Sequence, residues 1–192
     1  MDIEDYVYFE ENFLDPKTLK KLNKYIVNDI EWEKARVVAI GKGKNELNEK
    51  LRKVQSKFIT NVGDEKATSI FWYNFMRFRL LKFTQKYYEK VNPYHRAICP
   101  ILEMNVLKYE KNNFFTPHVD YHRTTPRNLS YIFSLNDDYE GGQLTFHFKK
   151  DQKKTLKLNK NACVIFPSNF LFTHHVNPVT EGERYVIVSW MP

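Results

Sequence analysis

Cysteine is scarce in this sequence, which has only Cys99 and Cys163 among its 192 residues. A disulfide framework is therefore excluded as the source of stability, and a reduced, buried thiol is expected at both positions. The chain also lacks an apolar run long enough to cross a bilayer. Its first five residues include three acids, so they lack the basic start of a secretory signal. These absences predict a cytoplasmic protein with no membrane association.

Glycine is scarce as well, with six residues, whereas hydrophobic residues make up 42% of the chain and aromatic residues 16%. This composition excludes a disordered protein, and the length favours one domain, residues 1–192, with a substantial core. The net charge of +7 is compatible with an anionic partner. Because the lysines of the N-terminal half are spread out, a solvated surface is the favoured interpretation, and nucleic acid is disfavoured as a partner.

Residues 1–100 are predicted to be mainly helical support. Asp15 can cap a first helix that has Pro16 at its first position. A long second helix is predicted over residues 67–91, and Phe71, Phe75 and Phe78 are expected to widen its buried face. That face is defined by apolar side chains at helical spacing, which should contact a sheet: Tyr73, Met76, Leu80, Phe83 and Tyr87.

Residues 41–66 are polar and lack a strong periodicity, although residues 46–54 could form a helix. A polar segment of this length beside an active site is often a lid that moves. An ordinary surface loop explains the same composition equally well, so both interpretations stay open.

Residues 101–192 are dominated by short apolar segments punctuated by Gly, Pro and Asn-Asp turns. Eight such strands predict an α+β protein built on a double-stranded β-helix, or jelly roll, with the N-terminal helices packed on one sheet. In the turn between the third and fourth strands, Gly141 and Gly142 can adopt positive φ. The strands are predicted near 102–109, 115–120, 127–136, 142–149, 154–158, 161–166, 170–176 and 184–191.

The most informative motif is His118-Val119-Asp120, because alternate residues of a strand point to the same side. An imidazole and a carboxylate on one face can bind a metal but leave it under-coordinated. A third ligand is therefore expected downstream, at His174 or His175. Two histidines and a carboxylate form the facial triad of non-haem Fe(II) oxygenases, which leaves coordination positions open.

Those open positions suit a bidentate 2-oxo acid, whose far carboxylate would need a fixed cation. Arg184 lies in an alternating segment with Val186, Val188 and Trp190, which suggests that it is internal. A buried guanidinium needs an anion, and its planar fork pairs with a carboxylate through two hydrogen bonds.

With these motifs the sequence resembles the 2-oxoglutarate/Fe(II)-dependent dioxygenase superfamily, in its prolyl 4-hydroxylase-like branch. The resemblance covers residues 101–192 and rests on His118-x-Asp120, on His174 ten positions before Arg184, and on the Gly141-Gly142 turn. It implies Fe(II), 2-oxoglutarate and O2, with ascorbate as a reductant. The implied reaction is hydroxylation of an unactivated C–H bond, foremost at a prolyl residue of a peptide or protein. Another amino acid, a small metabolite or a nucleic acid as substrate, or a silent binding module, are the alternatives.

The resemblance also implies roles for individual residues. It favours His174 as the third ligand, and strand parity with Phe172 and Val176 favours it too, so His175 should face outward or toward the residues that surround the ligands. Tyr109 matches a tyrosine that hydrogen-bonds the co-substrate in relatives. His122 is placed at the mouth of the site, and Trp190 beneath the metal. Trp190 also stands where nucleic-acid demethylases of the superfamily carry a second arginine.

Overall fold

The computed structural model describes residues 2–38, 45–60, 66–92, 94, 98–101, 103–121 and 126–192. Two α-helices, α1 (Pro16–Asp29) and α2 (Ala67–Val91), precede most of the strands. The strands of the N-terminal half are β1 (Tyr8–Glu10), β2 (Glu33–Lys34), β3 (Val37–Val38), β4 (Asn45–Glu46), β5 (Arg52–Lys53) and β6 (Gln55–Phe58). Those of the C-terminal half are β7 (Glu103–Tyr109), β8 (Phe114–His118), β9 (Leu129–Ser134), β10 (Glu140–Gly141), β11 (Leu144–Lys149), β12 (Gln152–Leu156), β13 (Cys163–Pro167), β14 (Thr173–Val176), β15 (Val179–Glu181) and β16 (Arg184–Met191).

Two antiparallel sheets form the body of the protein. The larger has the order β1-β13-β9-β16-β7-β6-β2, and the smaller has the order β12-β11-β14-β8-β5. Two further pairs, β10 with β15 and β3 with β4, complete the pairing among the described strands. Apart from the neighbours β6/β7, β11/β12 and β3/β4, chain order and sheet order differ, so many strands distant in sequence lie side by side.

Alternation along the strands produces two hydrophobic cores. On β7, Met104 and Val106 belong to one core, whereas Leu107 and Tyr109 belong to the other. The first core lies between the larger sheet and the two helices. The second lies between the two sheets, since side chains such as Phe146 of the smaller sheet contribute to it. A period of two along each strand is what divides the apolar residues between the two faces.

The predictions for the helices are mostly confirmed. The side chain of Asp15 accepts a hydrogen bond from the Thr18 amide at 3.0 Å, with Pro16 in the first turn of α1. The bounds predicted for the second helix are those of α2. The prediction for Phe71 and Phe78 is wrong, because these side chains are 57% and 54% exposed. The buried face of α2 is already filled by residues such as Trp72, Tyr73 and Met76. Successive helix residues are rotated by about 100°, so Phe71 and Phe78 project outside this face.

The helix predicted over residues 46–54 is also wrong, because β4 and β5 lie there. Arg52 of β5 pairs with Phe115 of β8, and β6 pairs with β7, so this segment extends both sheets. Unpaired backbone groups at a sheet edge gain hydrogen bonds by this pairing. The secondary-structure propensity of the local sequence does not reveal the pairing. Whether residues 41–66 move as a lid stays a prediction, and residues 41–44 and 61–65 lie outside the described residues.

Several strand bounds differ from the predicted ones at points that matter for the site. β8 ends at His118, so Asp120 follows the strand instead of belonging to it. Residues 170–172 form a 3₁₀ turn before β14. The strand β15 was not predicted; it pairs with β10, where Gly141 has φ +74° and lies so close to the Pro178 carbonyl oxygen that a Cβ atom would not fit. Both cysteines are free. Among the described residues, no helix is long and apolar enough to span a membrane.

Candidate metal centre

Three side chains converge where β8 and β14 lie next to each other. The Cα atoms of His118 and His174 are paired across the two strands, and their rings are 4.4 Å apart. Asp120 approaches from the bend that follows β8. One ligand atom of each residue lies within 4.8 Å of those of the other two, so the three could hold a metal ion. This is the only such group of histidine, cysteine and acidic residues in the part of the chain that the structure describes.

The two imidazoles present the same nitrogen to the centre. Nδ1 of His118 lies 2.8 Å from the Thr116 carbonyl oxygen, and Nδ1 of His174 lies 3.0 Å from that of Phe172. A carbonyl oxygen can only accept, so each Nδ1 carries the proton and each Nε2 keeps its lone pair. Both Nε2 atoms are 3.6 Å from an oxygen of Asp120. Ligands about 2.1 Å from one ion are about 3.0 Å apart at right angles and about 4.2 Å apart when opposite, so 3.6 Å suits a shared ion.

The protonation states also suit a metal. Burial and the neighbouring His174 lower the pKa of His118 to about 3, so its imidazole is neutral at pH 7. Burial raises the pKa of Asp120, but His174, His118 and hydrogen bonds from Ser130 and Trp190 lower it more, and the net pKa is below the ordinary value. Neutral imidazole and ionised carboxylate are the forms that bind metal ions.

Asp120 is held by groups that the sequence did not reveal as functional. Ser130 Oγ donates to Asp120 Oδ2 at 2.7 Å, and Ser168 Oγ lies 2.7 Å from Ser130 Oγ. Trp190 is half-buried, and its indole N–H, the only donor of that side chain, helps to lower the pKa of the Asp120 carboxyl. Serines are too common in strands for a single sequence to single these two out, although Ser130 and Trp190 are directly paired across β9 and β16.

We expect Ser130→Ala to weaken metal binding by about 10- to 100-fold, the usual effect of losing a partner that orients a ligand. The carboxylate would lose the hydrogen bond that fixes Oδ2, while all three ligands remain. Ser189→Ala is the matched control, because Ser189 is equally buried in the same sheet but donates to the Glu103 carbonyl. Calorimetric titration of both variants with Mn(II) measures the effect, and equal affinities would contradict it.

Arg184 lies at the start of β16 and is buried, with 2% of its surface exposed. It is paired with Tyr109 across β16 and β7, and its guanidinium carbon lies 5.0 Å from the Tyr109 ring. Its Nε and Nη1 atoms are buried and have no hydrogen-bond partner. A Cβ atom on Gly142 would lie 3.0 Å from Arg184 Cδ, so glycine leaves room for the arginine there. A buried, unpaired guanidinium is costly unless an anion binds it, and a carboxylate is an anion that its planar fork can hold.

The remaining predicted site residues lie elsewhere. His175 points to the opposite side of β14 from His174, where its Nδ1 is 2.7 Å from His147 Nε2 and its Nε2 is 3.0 Å from Asn177 Oδ1. His122 lies outside the described residues.

One further cation near the centre was missed by the sequence analysis. The guanidinium carbon of Arg52 lies 4.8 Å from the Phe115 ring, and that ring stacks on His118 with 3.6 Å between centroids. Arg52 belongs to a two-residue strand inside a polar segment, so no pattern in the sequence connects it with His118.

A two-sheet roll that carries a His-Asp-His cluster between its sheets has the ligand set of the non-haem iron oxygenases. Residues 104–192 match the 2OG-Fe(II) oxygenase superfamily, which confirms the resemblance seen in the motifs. This superfamily implies Fe(II), 2-oxoglutarate and O2.

Similar curated proteins are PKHD-type hydroxylases. That of Prochlorococcus marinus (strain MIT 9301) is 36% identical over 88 residues, which are 44% of this chain and 38% of that protein. That of Gloeothece citriformis (strain PCC 7424) is 44% identical over 54 residues, which are 28% of this chain and 23% of that protein. The matches therefore span well under half the length of these relatives.

Solved structures show the fold. One is the prolyl hydroxylase from Trichoplax adhaerens, in complex with a peptide fragment of the hypoxia inducible factor oxygen degradation domain. Its TM-score is 0.75 at 17% sequence identity, and the match covers 97% of this chain and 83% of the Trichoplax chain. The Pseudomonas putida prolyl-4-hydroxylase has a TM-score of 0.66 at 19% identity and covers 97% of this chain and 91% of its own. The predicted jelly roll is thereby confirmed.

Proposed function

We propose that this protein is an Fe(II)- and 2-oxoglutarate-dependent dioxygenase that hydroxylates an unactivated C–H bond, foremost that of a prolyl residue in a peptide or protein. The observation that carries the proposal is the pairing of a three-ligand cluster with a buried cation that has no anion. His118, Asp120 and His174 would hold the metal, and Arg184 would bind the far carboxylate of 2-oxoglutarate. In this view residues 1–192 are one domain, in which residues 101–192 carry the chemistry.

When bound, iron with 2-oxoglutarate and O2 supplies the oxidising power for the C–H bond, and the chain supplies position. The three ligands lie on one side of the ion site, so the opposite side stays available for small molecules. Ser130 and Trp190 keep the Asp120 carboxylate ionised and oriented. Tyr109, whose ring lies against Arg184, would border the co-substrate. Burial of Arg184 strengthens its attraction to a carboxylate by excluding water.

A peptide or protein substrate is supported by the neighbours, since the Trichoplax adhaerens enzyme was solved with a peptide bound. Nucleic acid is a weaker candidate, because Trp190 occupies the position of the second arginine of the nucleic-acid demethylases. Both cysteines are free, which supports a reducing, cytoplasmic setting.

The test is a screen of proline-containing peptides with Fe(II), ascorbate as reductant and 2-oxoglutarate, read by mass spectrometry. A gain of one oxygen atom in a peptide, together with succinate release, is the expected result. Single-stranded oligonucleotides form a second arm, for which binding should fall steeply with salt if nucleic acid is the substrate. Failure to oxidise any peptide while oligonucleotides are oxidised would overturn the prolyl assignment.

A further inference from the structure

The short strand β5 brings a second arginine to the metal centre. Arg52 pairs with Phe115 of β8, and its guanidinium carbon lies 4.8 Å from the Phe115 ring. The same ring stacks on His118 with 3.6 Å between centroids. One aromatic ring therefore contacts both the Arg52 guanidinium and an imidazole of the candidate metal site. The cation is next to the place where a substrate would meet the metal.

Arg52 is half-buried, and it lacks the partners that usually neutralise a desolvated arginine. Its Nη1 donates to the Arg36 carbonyl oxygen at 3.2 Å, while its Nε is buried without a hydrogen-bond partner. Within the described ranges it forms no ion pair. Burial lowers the pKa of the Arg52 guanidinium, which the Tyr109 hydroxyl and the Asp120 carboxylate partly oppose. The charge of Arg52 is thus partly desolvated, and only weakly compensated by this chain.

Arg127, in contrast to Arg52, has an acidic partner that neutralises its charge. It pairs with Glu103 at 2.5 Å and lies over the Trp190 ring, with its guanidinium carbon 3.8 Å from the centroid. Arg127 also lowers the pKa of Arg52, so the two cations are close enough to repel each other. The acid beside Arg127 neutralises one of them and leaves the charge of Arg52 uncompensated.

The charges of the site with metal and co-substrate bound rest on the proposed function. In that site the charge of Arg52 has no counter-charge. Fe(II) and Arg184 together are matched by Asp120 and the two carboxylates of 2-oxoglutarate. Nothing in that set neutralises Arg52, so the loaded site keeps one positive charge. An anionic group on the substrate would remove it, and a guanidinium can hold a carboxylate through charge-assisted hydrogen bonds.

We propose that Arg52 is a specificity-determining residue that binds a carboxylate of the substrate close to the oxidised carbon. The carboxylate belongs either to an acidic side chain next to that residue or to a free C-terminus directly after it. Neutral substrates of the same shape would leave Arg52 desolvated and unpaired, and would bind less well.

The experiment uses the whole protein loaded with Mn(II) and 2-oxoglutarate without oxygen, so that binding is measured apart from turnover. Four fluorescent peptides each contain one proline. The first has Glu before the proline, the second has Glu after it, and the third has Gln at both places. The fourth ends at the proline with a free carboxylate. Fluorescence anisotropy gives each dissociation constant. One charge-assisted hydrogen-bonded pair predicts binding at least about tenfold tighter for an acidic peptide than for the Gln peptide.

Arg52→Gln should abolish this preference, and Arg52→Lys should keep part of it because the charge remains. Lys53→Gln is the matched control, since Lys53 is the exposed neighbour on the same strand. Thermal unfolding checks each variant, and if Arg52→Gln is unfolded, the weakened preference of Arg52→Lys decides. Equal binding of acidic and neutral peptides by the unchanged protein, no binding of any peptide, or an unaltered preference in Arg52→Gln would overturn the inference. A preserved charge preference without oxygen incorporation under aerobic conditions would contradict the proposed function alone.

Discussion

His174→Ala is expected to lose metal binding and turnover, whereas His175→Ala should keep most of both. His174 directs Nε2 at the Asp120 carboxylate from the inner side of β14, in the same cluster as His118. His175 lies on the outer side, with both ring nitrogens within hydrogen-bonding distance of His147 and Asn177. Because neighbouring strand residues face opposite sides, only one of the two can reach a metal shared with His118. The loss in affinity should exceed the roughly 100-fold that removing an orienting partner causes.

His118→Ala and Asp120→Ala should behave like His174→Ala, since each leaves two ligands that compete poorly with water. Mn(II) titration and 2-oxoglutarate-dependent succinate release measure the two effects, and circular dichroism verifies the fold. His147→Ala serves as a second control on the outer face, because His147 faces His175 there. If His175→Ala were the variant that lost metal, the side chains of β14 would be assigned to the wrong faces.

Arg184→Ala is expected to raise the 2-oxoglutarate requirement strongly, and Arg184→Lys less. Removing one partner of a buried ion pair costs about 2–5 kcal/mol, which corresponds to about 30- to 4,000-fold in affinity. Lysine keeps the charge but loses the two-bond geometry, so it recovers only part of the affinity. Steady-state saturation with 2-oxoglutarate at fixed peptide concentration provides the measurement. Unchanged saturation in Arg184→Ala would place the co-substrate anchor elsewhere.

A third substitution at this position separates binding from packing. Arg184→Met removes the charge but keeps an unbranched chain, so the protein without co-substrate should unfold at a higher temperature than the unchanged protein. The reason is that Nε and Nη1 of Arg184 are buried without partners, which destabilises the folded state until an anion binds. Addition of 2-oxoglutarate should then stabilise the unchanged protein and leave Arg184→Met unaffected. A lower unfolding temperature for Arg184→Met would contradict this account.

The parts of the fold that repeat a local pattern were predictable from the sequence. The apolar stripe of α2 and the Asp15 cap of α1 are signals contained within a few turns, and both are observed. The structure also brings His118, Asp120 and His174 together, as their motif spacing predicted. Features that depend on a distant partner were not predictable. β5 has two residues and exists because β8 offers it an edge, so Arg52 could not be connected with His118.

The same limit explains the wrong assignment of Phe71 and Phe78. Helical spacing identifies which residues share a face, but α2 is rich in aromatic residues around much of its circumference. Only one face of α2 is buried, and that face contains Met76, Leu80 and Phe83. The network of Ser130 and Ser168 was missed for a related reason, because its members lie 38 positions apart and are joined only by the pairing of β9 with β13.

The position of β16 in the larger sheet has a consequence for the chain during its synthesis. β16 lies between β7 and β9, although both of these are translated well before it. Until residues 184–191 leave the ribosome, the facing edges of β7 and β9 have no strand between them, and the sheet stays in two parts. Arg184, which is the cross-strand neighbour of Tyr109, arrives with that strand. If Arg184 anchors 2-oxoglutarate as proposed, a nascent chain acquires that anchor only when the sheet closes, and unfinished chains should not bind the co-substrate.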